Sequence, residues 1–118
     1  MNEIAKESLL FDCYGGLLTD RKRRVMELYH EENLSLAEIA EEFGISRAAV
    51  YDSLRSARRK LDEYEERLGM VEELARRDRI LEQVIRRLAS LEQAYGGDAE
   101  LIRRTAEIRG LLEQLASE

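Results

Sequence analysis

Eight residues between positions 47 and 60 have side chains of the types that contact nucleic acids. An arginine can donate two parallel hydrogen bonds to the edge of a guanine, and arginines and lysines also bind backbone phosphates. We expect Arg47 or Arg55 to bind a base, and the basic run that starts at Arg58 to meet phosphates. The candidate nucleic-acid-binding residues are Arg47, Ala48, Tyr51, Asp52, Arg55, Arg58, Arg59 and Lys60.

The residues around this set predict a helix-turn-helix that would hold it outward. Ser35 and Glu38 form a capping-box pattern at the start of a short helix. Gly44 supplies the left-handed turn that ends this helix, and Ser46 caps the next one. The two helices would cross at the small Ala40. An apolar wedge would fix the crossing angle, made of Ile39, Phe43, Ile45, Val50 and Leu54. The start of the second helix would then face outward, where it could enter a major groove.

The formal net charge of −6 argues against a simple DNA-binding domain, because positive charge supplies most of the affinity for DNA. Residues 1–61 hold ten Lys and Arg against eleven Asp and Glu, and residues 62–118 hold nine against fourteen. The basic run from Arg55 to Lys60 could also pair with Glu63 and Glu66. Two interpretations of the motif therefore stay open. It binds DNA or RNA, or it is a compact scaffold whose outer face contacts protein.

The rest of the chain predicts an all-α protein in two parts. Paired glycines, N-capping residues and apolar spacing predict helices over residues 2–14, 20–30, 36–43, 46–68, 71–95 and from 98 onward. The first helix would bury Ile4, Leu9, Leu10 and Phe11. Gly69 would either stop or bend the helix that precedes it. We expect a winged-helix-like or sigma region 4-like domain over residues 1–69, and a coiled-coil-like helical extension over residues 70–118.

Apolar residues at heptad spacing run through this extension, namely Leu74, Leu81, Val84, Leu88, Leu91 and Tyr95. A stripe with this period packs against another helix. The other helix could be the last one of the same chain, in an antiparallel hairpin, or it could belong to a second copy. We predict a homodimer through these residues, because a domain of this size has little core with which to cover a long stripe.

The sequence predicts no enzymatic activity, no cofactor and no metal site. One cysteine and one histidine are too few for a structural zinc site. His30 is expected at a helix C-terminus, where a cation favours the helix dipole, and Cys13 is expected to be a small core residue. We find no apolar run that could span a membrane and no signal-peptide pattern, so we expect a cytoplasmic protein without membrane insertion.

Three segments carry a more specific resemblance, from Leu9 to Thr19, from Leu34 to Asp52 and from Tyr64 to Gly69. They resemble the YlxM family of small bacterial proteins, whose members look like region 4 of a sigma factor with a helical extension. Family members are encoded beside the signal recognition particle GTPase. The resemblance therefore implies an accessory or regulatory protein of that pathway, acting by contact with the particle's protein or RNA. The alternative is a DNA-binding transcriptional regulator that reads the major groove with the helix of residues 46–61.

Overall fold

The computed structural model describes residues 3–117, and it places six α-helices and one short 3₁₀ helix in that range. The helices are α1 (Glu3–Tyr14), the 3₁₀ helix (Gly15–Leu17), α2 (Asp20–His30), α3 (Leu36–Phe43), α4 (Arg47–Leu68), α5 (Met70–Ala94) and α6 (Ala99–Ala116). The predicted all-α class is confirmed. Because residues 3–117 contain no strand, the winged-helix alternative does not hold, since its wing is a β-hairpin. Asn2, where the predicted first helix begins, lies outside the described residues.

Four helices begin with a side-chain cap at a predicted position. At the starts of α2, α4 and α6, the side chains of Thr19, Ser46 and Asp98 each accept a hydrogen bond from the amide three residues later. At the start of α3 the capping box is complete. The Ser35 hydroxyl accepts from the Glu38 amide, and the Glu38 carboxylate accepts from the Ser35 amide, both at 3.1 Å. These bonds satisfy amides that helix geometry leaves free, so the polar residues determine where each helix starts.

Two glycines in the left-handed conformation end α3 and α4. Gly44 has a φ of 67° and Gly69 a φ of 61°, a region that is costly for a residue with a Cβ atom. After α3, the amides of Gly44 and Ile45 donate to the carbonyls of Glu41 and Ala40, which is the Schellman pattern. Gly69 therefore stops α4 and does not merely bend it.

Helix α4 is the centre of the first apolar core, since α1, α2 and α3 all contact it. Its buried side chains recur every three or four residues and are Val50, Leu54, Ala57 and Leu61. Ile39 and Ala40 of α3 are buried, while Phe43 at its end and Ile45 in the following turn pack against the edge of the core. The predicted wedge is thus formed, and the small Ala40 lies inside it.

The buried side of α1 differs from the prediction. Leu10 and Tyr14 are buried, and Phe11 packs partly against the core. Ile4, in contrast, is 74% exposed and Leu9 is 37% exposed. At 3.6 residues per turn, Ile4 lies about 120° and Leu9 about 100° around the helix from Leu10. The face of α1 that contacts the core is set by Leu10 and Tyr14, and those two angles place Ile4 and Leu9 outside it.

Tyr14 connects α1 to the junction between α4 and α5. Its hydroxyl donates to Glu65 Oε1 at 2.5 Å and accepts from the Met70 amide at 2.9 Å. Glu65 Oε1 also accepts from the Val71 amide, at 3.0 Å. Both amides belong to the first turn of α5, and Gly69 before it has no side chain with which to cap them. Burial, followed by the hydrogen bond to Glu65, raises the pKa of Tyr14 above its ordinary value of 10.0.

Contacts divide the chain into two compact units, one ending at Val71 and the other beginning at Glu72. Helix α5 starts at Met70, so its first two residues belong to the first unit. The sequence places the domain boundary after Gly69. The domain bounds 1–69 and 70–118 stay a prediction.

The second unit is an antiparallel hairpin of α5 and α6. Leu74, near the start of α5, and Leu81, near its middle, line one small cavity together with Leu115, near the end of α6. Farther along, Glu92 of α5 and Arg109 of α6 form an ion pair. Early positions of α5 thus lie beside late positions of α6, and later positions of α5 lie beside earlier ones of α6, as the hairpin alternative requires.

The six residues predicted for a dimer differ in their exposure in this hairpin. Leu88 is buried, and Leu81 and Val84 are half-buried. The other three are more than 40% exposed, namely Leu74, Leu91 and Tyr95. Leu88 is already covered within one chain, and the homodimer through these six residues stays a prediction. Only part of the heptad stripe is free to contact another molecule.

Candidate interaction surface of the helix-turn-helix

Seven of the eight candidate residues are exposed on α4, away from its buried side. The helix begins directly after the Ser46 cap, so its first residues project beyond the core. We call these seven residues the outer face of α4, and they are Arg47, Ala48, Tyr51, Asp52, Arg55, Arg59 and Lys60. This is the side that a helix-turn-helix presents to a major groove or to another partner.

Arg58 is the exception, because it is directed toward α1 and α2. Its Nε lies 2.6 Å from Glu7 Oε1, and the other oxygen of that carboxylate lies 3.1 Å from His30 Nε2. The Arg58 guanidinium carbon is also 6.0 Å from the centre of the Tyr29 ring. A carboxylate of the same domain already balances its charge. Arg58 therefore does not share the outer face with Arg59, and its placement does not favour the predicted phosphate contact.

Three arginines of the outer face have no carboxylate within ion-pair distance. Arg47, Arg55 and Arg59 form no ion pair with any residue in the range 3–117. Lys60 differs, since its Nζ lies 3.7 Å from a Glu63 oxygen, a pairing that the sequence had left open. Exposed cations without a partner stay available to anionic groups of another molecule.

Carboxylates interrupt this positive charge. Asp52 lies among the arginines on the outer face, and α3 next to it exposes Glu41 and Glu42. After Lys60 the exposed side of α4 becomes acidic, with Asp62, Glu63 and Glu66. In total, residues 1–71 hold eleven Lys and Arg against fifteen Asp and Glu, a net charge of −4. The helix-turn-helix therefore presents alternating charge and not a continuous basic stripe.

Helix α2 carries four consecutive cations at positions 21–24, and two of them are paired with carboxylates within the domain. Arg23 and Arg24 each have a carboxylate oxygen within 3.2 Å. Arg21 is exposed, and its guanidinium carbon lies 5.4 Å from the centre of the Phe43 ring at the end of α3. Arg21 is thus a cation beside the motif that the candidate set missed. The sequence showed the run but could not distinguish this residue from its paired neighbours.

Cys13 and His30 are side-chain types that can act as a nucleophile and a base. The groups around both of them are those of residues with a structural role. Burial and then the carboxylates of Glu65 and Asp12 raise the pKa of Cys13, which disfavours the reactive thiolate. His30 is the last residue of α2, as predicted, and it faces Glu7.

No group of three metal-ligating side chains occurs within residues 3–117. No helix in the same range is long and apolar enough to cross a membrane.

Comparison with known families matches residues 1–101 to the UPF0122 family, described as "Putative helix-turn-helix protein, YlxM / p13 like". The chain belongs to this family. A UPF0122 protein of Desulforamulus reducens is 45% identical over 92 residues, covering 78% of this chain and 79% of the relative. That of Geobacillus kaustophilus is 38% identical over 109 residues, covering 92% and 96%. That of Symbiobacterium thermophilum is 45% identical over 84 residues, covering 71% and 78%.

The UPF0122 match confirms the resemblance that the sequence predicted and supports the helix-turn-helix. It covers all of the outer face of α4 and all of α5. It ends at Leu101, near the start of α6. Most of α6 therefore lies beyond the part of the chain that the family model describes.

Proposed function

We propose that the protein is a non-enzymatic accessory or regulatory factor of the signal recognition particle pathway. It would contact the particle's protein through the outer face of α4, with the particle's RNA as the second candidate. The assignment to this pathway follows from what the resemblance to the YlxM family implies. The mode of contact is supported by one observation. The unpaired Arg47, Arg55 and Arg59 alternate with Asp52 on a domain whose net charge is −4.

Alternating charge suits a protein partner better than a duplex. Double-stranded DNA presents about one negative charge per 1.7 Å of its axis, with no positive groups between them. Asp52 on the outer face, and Glu41 and Glu42 beside it, would be brought toward those phosphates, and like charges in an interface cost several kcal/mol. A protein surface can instead place a carboxylate opposite each arginine and a cation opposite Asp52.

The runner-up function is a DNA-binding transcriptional regulator, and a specific observation favours it. Arg47 lies in the first turn of α4, and Arg55 lies about two turns later, both exposed and unpaired. The N-terminal residues of a recognition helix are those that reach base edges in the major groove. An arginine there binds guanine in bidentate fashion, which discriminates against a wrong base by about 1–3 kcal/mol.

The charge of Asp52 separates these functions experimentally. Wild type and Asp52→Arg would be titrated against the purified particle GTPase, the particle RNA and a pool of DNA duplexes, each at 50 and 200 mM salt. We expect the GTPase to bind wild type and to bind Asp52→Arg about tenfold more weakly, which corresponds to ~1.4 kcal/mol. If Asp52 instead lies near the phosphates of RNA or DNA, Asp52→Arg should bind more tightly than wild type, because the added cation attracts phosphate. The slope of log binding constant against log salt concentration should then become steeper by roughly one unit.

Two pairs of arginines provide a matched control. Arg55→Ala with Arg59→Ala removes two charges from the outer face, and Arg76→Ala with Arg86→Ala removes two exposed charges from α5. We expect only the first pair to weaken binding to the GTPase. Equal weakening by both pairs, or no binding of the GTPase to wild type, would contradict the proposal. Tighter binding of Asp52→Arg to the RNA would identify RNA as the target, and tight binding to one DNA fragment would establish the runner-up.

A further inference from the structure

The hairpin of residues 72–118 leaves much of its apolar surface uncovered. Within its described part, Leu88 and Thr105 are the buried side chains. Seven large apolar side chains are 41–63% exposed, namely Leu74, Ile80, Leu91, Tyr95, Ile108, Leu111 and Leu115. Helices in proteins gain most of their stability by packing an apolar face. A pair of helices with one buried leucine therefore lacks most of the packing that such helices normally have.

Five of these residues lie on one side of the hairpin, and we call them the apolar strip: Ile80, Leu91, Ile108, Leu111 and Leu115. At about 100° per residue, Ile80 and Leu91 are displaced by about 60–80° from the buried Leu88. The three strip residues of α6 are displaced by about 60–120° from the buried Thr105, in the same rotational sense. Because the helices are antiparallel, equal displacements bring both sets to the same side. In agreement, Ile80 and Leu115 line one cavity of about 160 Å³.

We propose that the apolar strip is the interface between two copies of this chain, whose hairpins join into a four-helix bundle. At roughly 150–250 Å² for a whole large side chain, the five residues expose on the order of 400 Å². A standard stable interface buries about 800 Å² on each partner. The half-buried Val84 and Leu112 and the aliphatic stem of Arg77 border the strip and add to this area. Two helical hairpins that pack their apolar faces against each other form a four-helix bundle.

The charge of the hairpin argues against a membrane surface as the occupant of the strip. Residues 72–118 hold eight Arg and no Lys against ten Asp and Glu, a net charge of −2. Helices that lie on anionic membranes have polar faces rich in Lys and Arg. A second copy provides the same apolar area and needs no excess of either charge. This dimer is independent of the target that the outer face of α4 binds.

The test uses the full chain in sedimentation velocity and light scattering between 1 and 100 µM. We expect wild type to have twice the 13.7 kDa mass of one chain. Ile80→Glu with Leu111→Glu places two charges in the strip and should give a monomer. The matched control is Ala89→Glu with Ala106→Glu, which changes two exposed residues on the opposite side of the same helices and should stay dimeric.

A milder pair keeps the test valid if the charged variant loses helix. Ile80→Ser with Leu111→Ser should retain the circular dichroism of wild type and raise the dimer dissociation constant at least tenfold. A wild-type monomer at 100 µM, or a larger assembly than a dimer, would overturn the proposal. The same holds if either strip pair dimerises as tightly as wild type, or if the control dissociates as readily as the strip variants.

Discussion

Replacing Tyr14 by phenylalanine would remove the hydroxyl that connects α1 to the first turn of α5 while keeping the ring in the core. The side chain is 1% exposed, so water cannot easily take the place of the lost oxygen. The Met70 amide would lose its acceptor, and Glu65 Oε1 would lose its donor from the phenol. The Val71 amide would still donate to Glu65, so the network would be damaged and not abolished.

The expected cost follows from these two bonds. The bond from Tyr14 to the Glu65 carboxylate is short and charge-assisted, a class worth about 1.5–3 kcal/mol. The bond from the Met70 amide is neutral, a class worth about 0.5–1.5 kcal/mol. Since Glu65 keeps one donor and can relax, we expect a total loss of ~2–3 kcal/mol. For a unit of this size that lowers the melting temperature by roughly 10–20 °C.

The measurement combines urea unfolding with amide hydrogen exchange by NMR. We expect the Met70 amide to exchange much faster in Tyr14→Phe, because a buried amide without an acceptor opens more readily. Tyr64→Phe is the control, since the Tyr64 hydroxyl makes only a long, exposed bond of 3.3 Å to the Leu17 carbonyl. Its expected cost is below ~1 kcal/mol. If both variants cost the same and the Met70 amide exchanges at its wild-type rate, the reasoning is refuted.

The raised pKa of Tyr14 predicts that the folded protein becomes less stable at alkaline pH. The pKa of Tyr14 is raised in the folded state, by burial first, so the folded protein keeps the phenol proton where the unfolded chain has lost it. Below the unfolded pKa near 10 this group contributes no pH dependence. As pH rises above 10 toward the folded pKa, the unfolding free energy should fall. Tyr14→Phe should show a smaller fall over this range, and an identical fall would contradict the assignment.

Two further predictions concern packing. Gly15→Ala would place a Cβ atom 2.9 Å from the Phe11 ring, so we expect a loss of ~1–3 kcal/mol in urea unfolding, whereas Gly16→Ala has open space and should change stability by less than ~0.5 kcal/mol. Equal effects of the two changes would argue against the contact. Ala40→Glu would put an unpaired carboxylate at the crossing of α3 and α4 and should unfold the helix-turn-helix. A melting temperature equal to that of wild type would mean that the helices do not cross there.

The helix-turn-helix was predictable because its signals are local. A capping hydroxyl, its glutamate partner and a left-handed glycine act within a few residues, so Ser35, Glu38 and Gly44 can be interpreted without knowing the rest of the fold. The small Ala40 and the apolar residues around it follow the same short spacing. All-α class and helix ends were therefore predicted closely, since each depends on neighbours in the sequence.

Contacts between residues far apart in the sequence were not predictable from spacing. Arg58 belongs to the basic run of α4, yet its guanidinium pairs with the Glu7 carboxylate on α1. No spacing within α4 reveals that contact. Glu65 resembles an ordinary surface carboxylate, although it accepts from Tyr14, which is 51 residues away. The heptad residues show the same difficulty. Their period predicts a partner helix, but only the fold shows that Leu88 is already buried while other apolar residues stay exposed.

The charges along α4 set a physical condition on whatever binds there. A partner that follows the exposed side of this helix meets Arg47 and Arg55 first and the carboxylates of Asp62 and Glu66 later. The centres of these two pairs lie 13 residues apart, roughly 20 Å along the helix, which is more than twice the Debye length of about 8 Å at physiological salt. Each of the two regions therefore attracts or repels the part of the partner that lies nearest to it. The net charge of the domain does not describe either region. A partner of one charge can bind well to only one of the two regions, whereas a partner with both signs can bind along the whole helix.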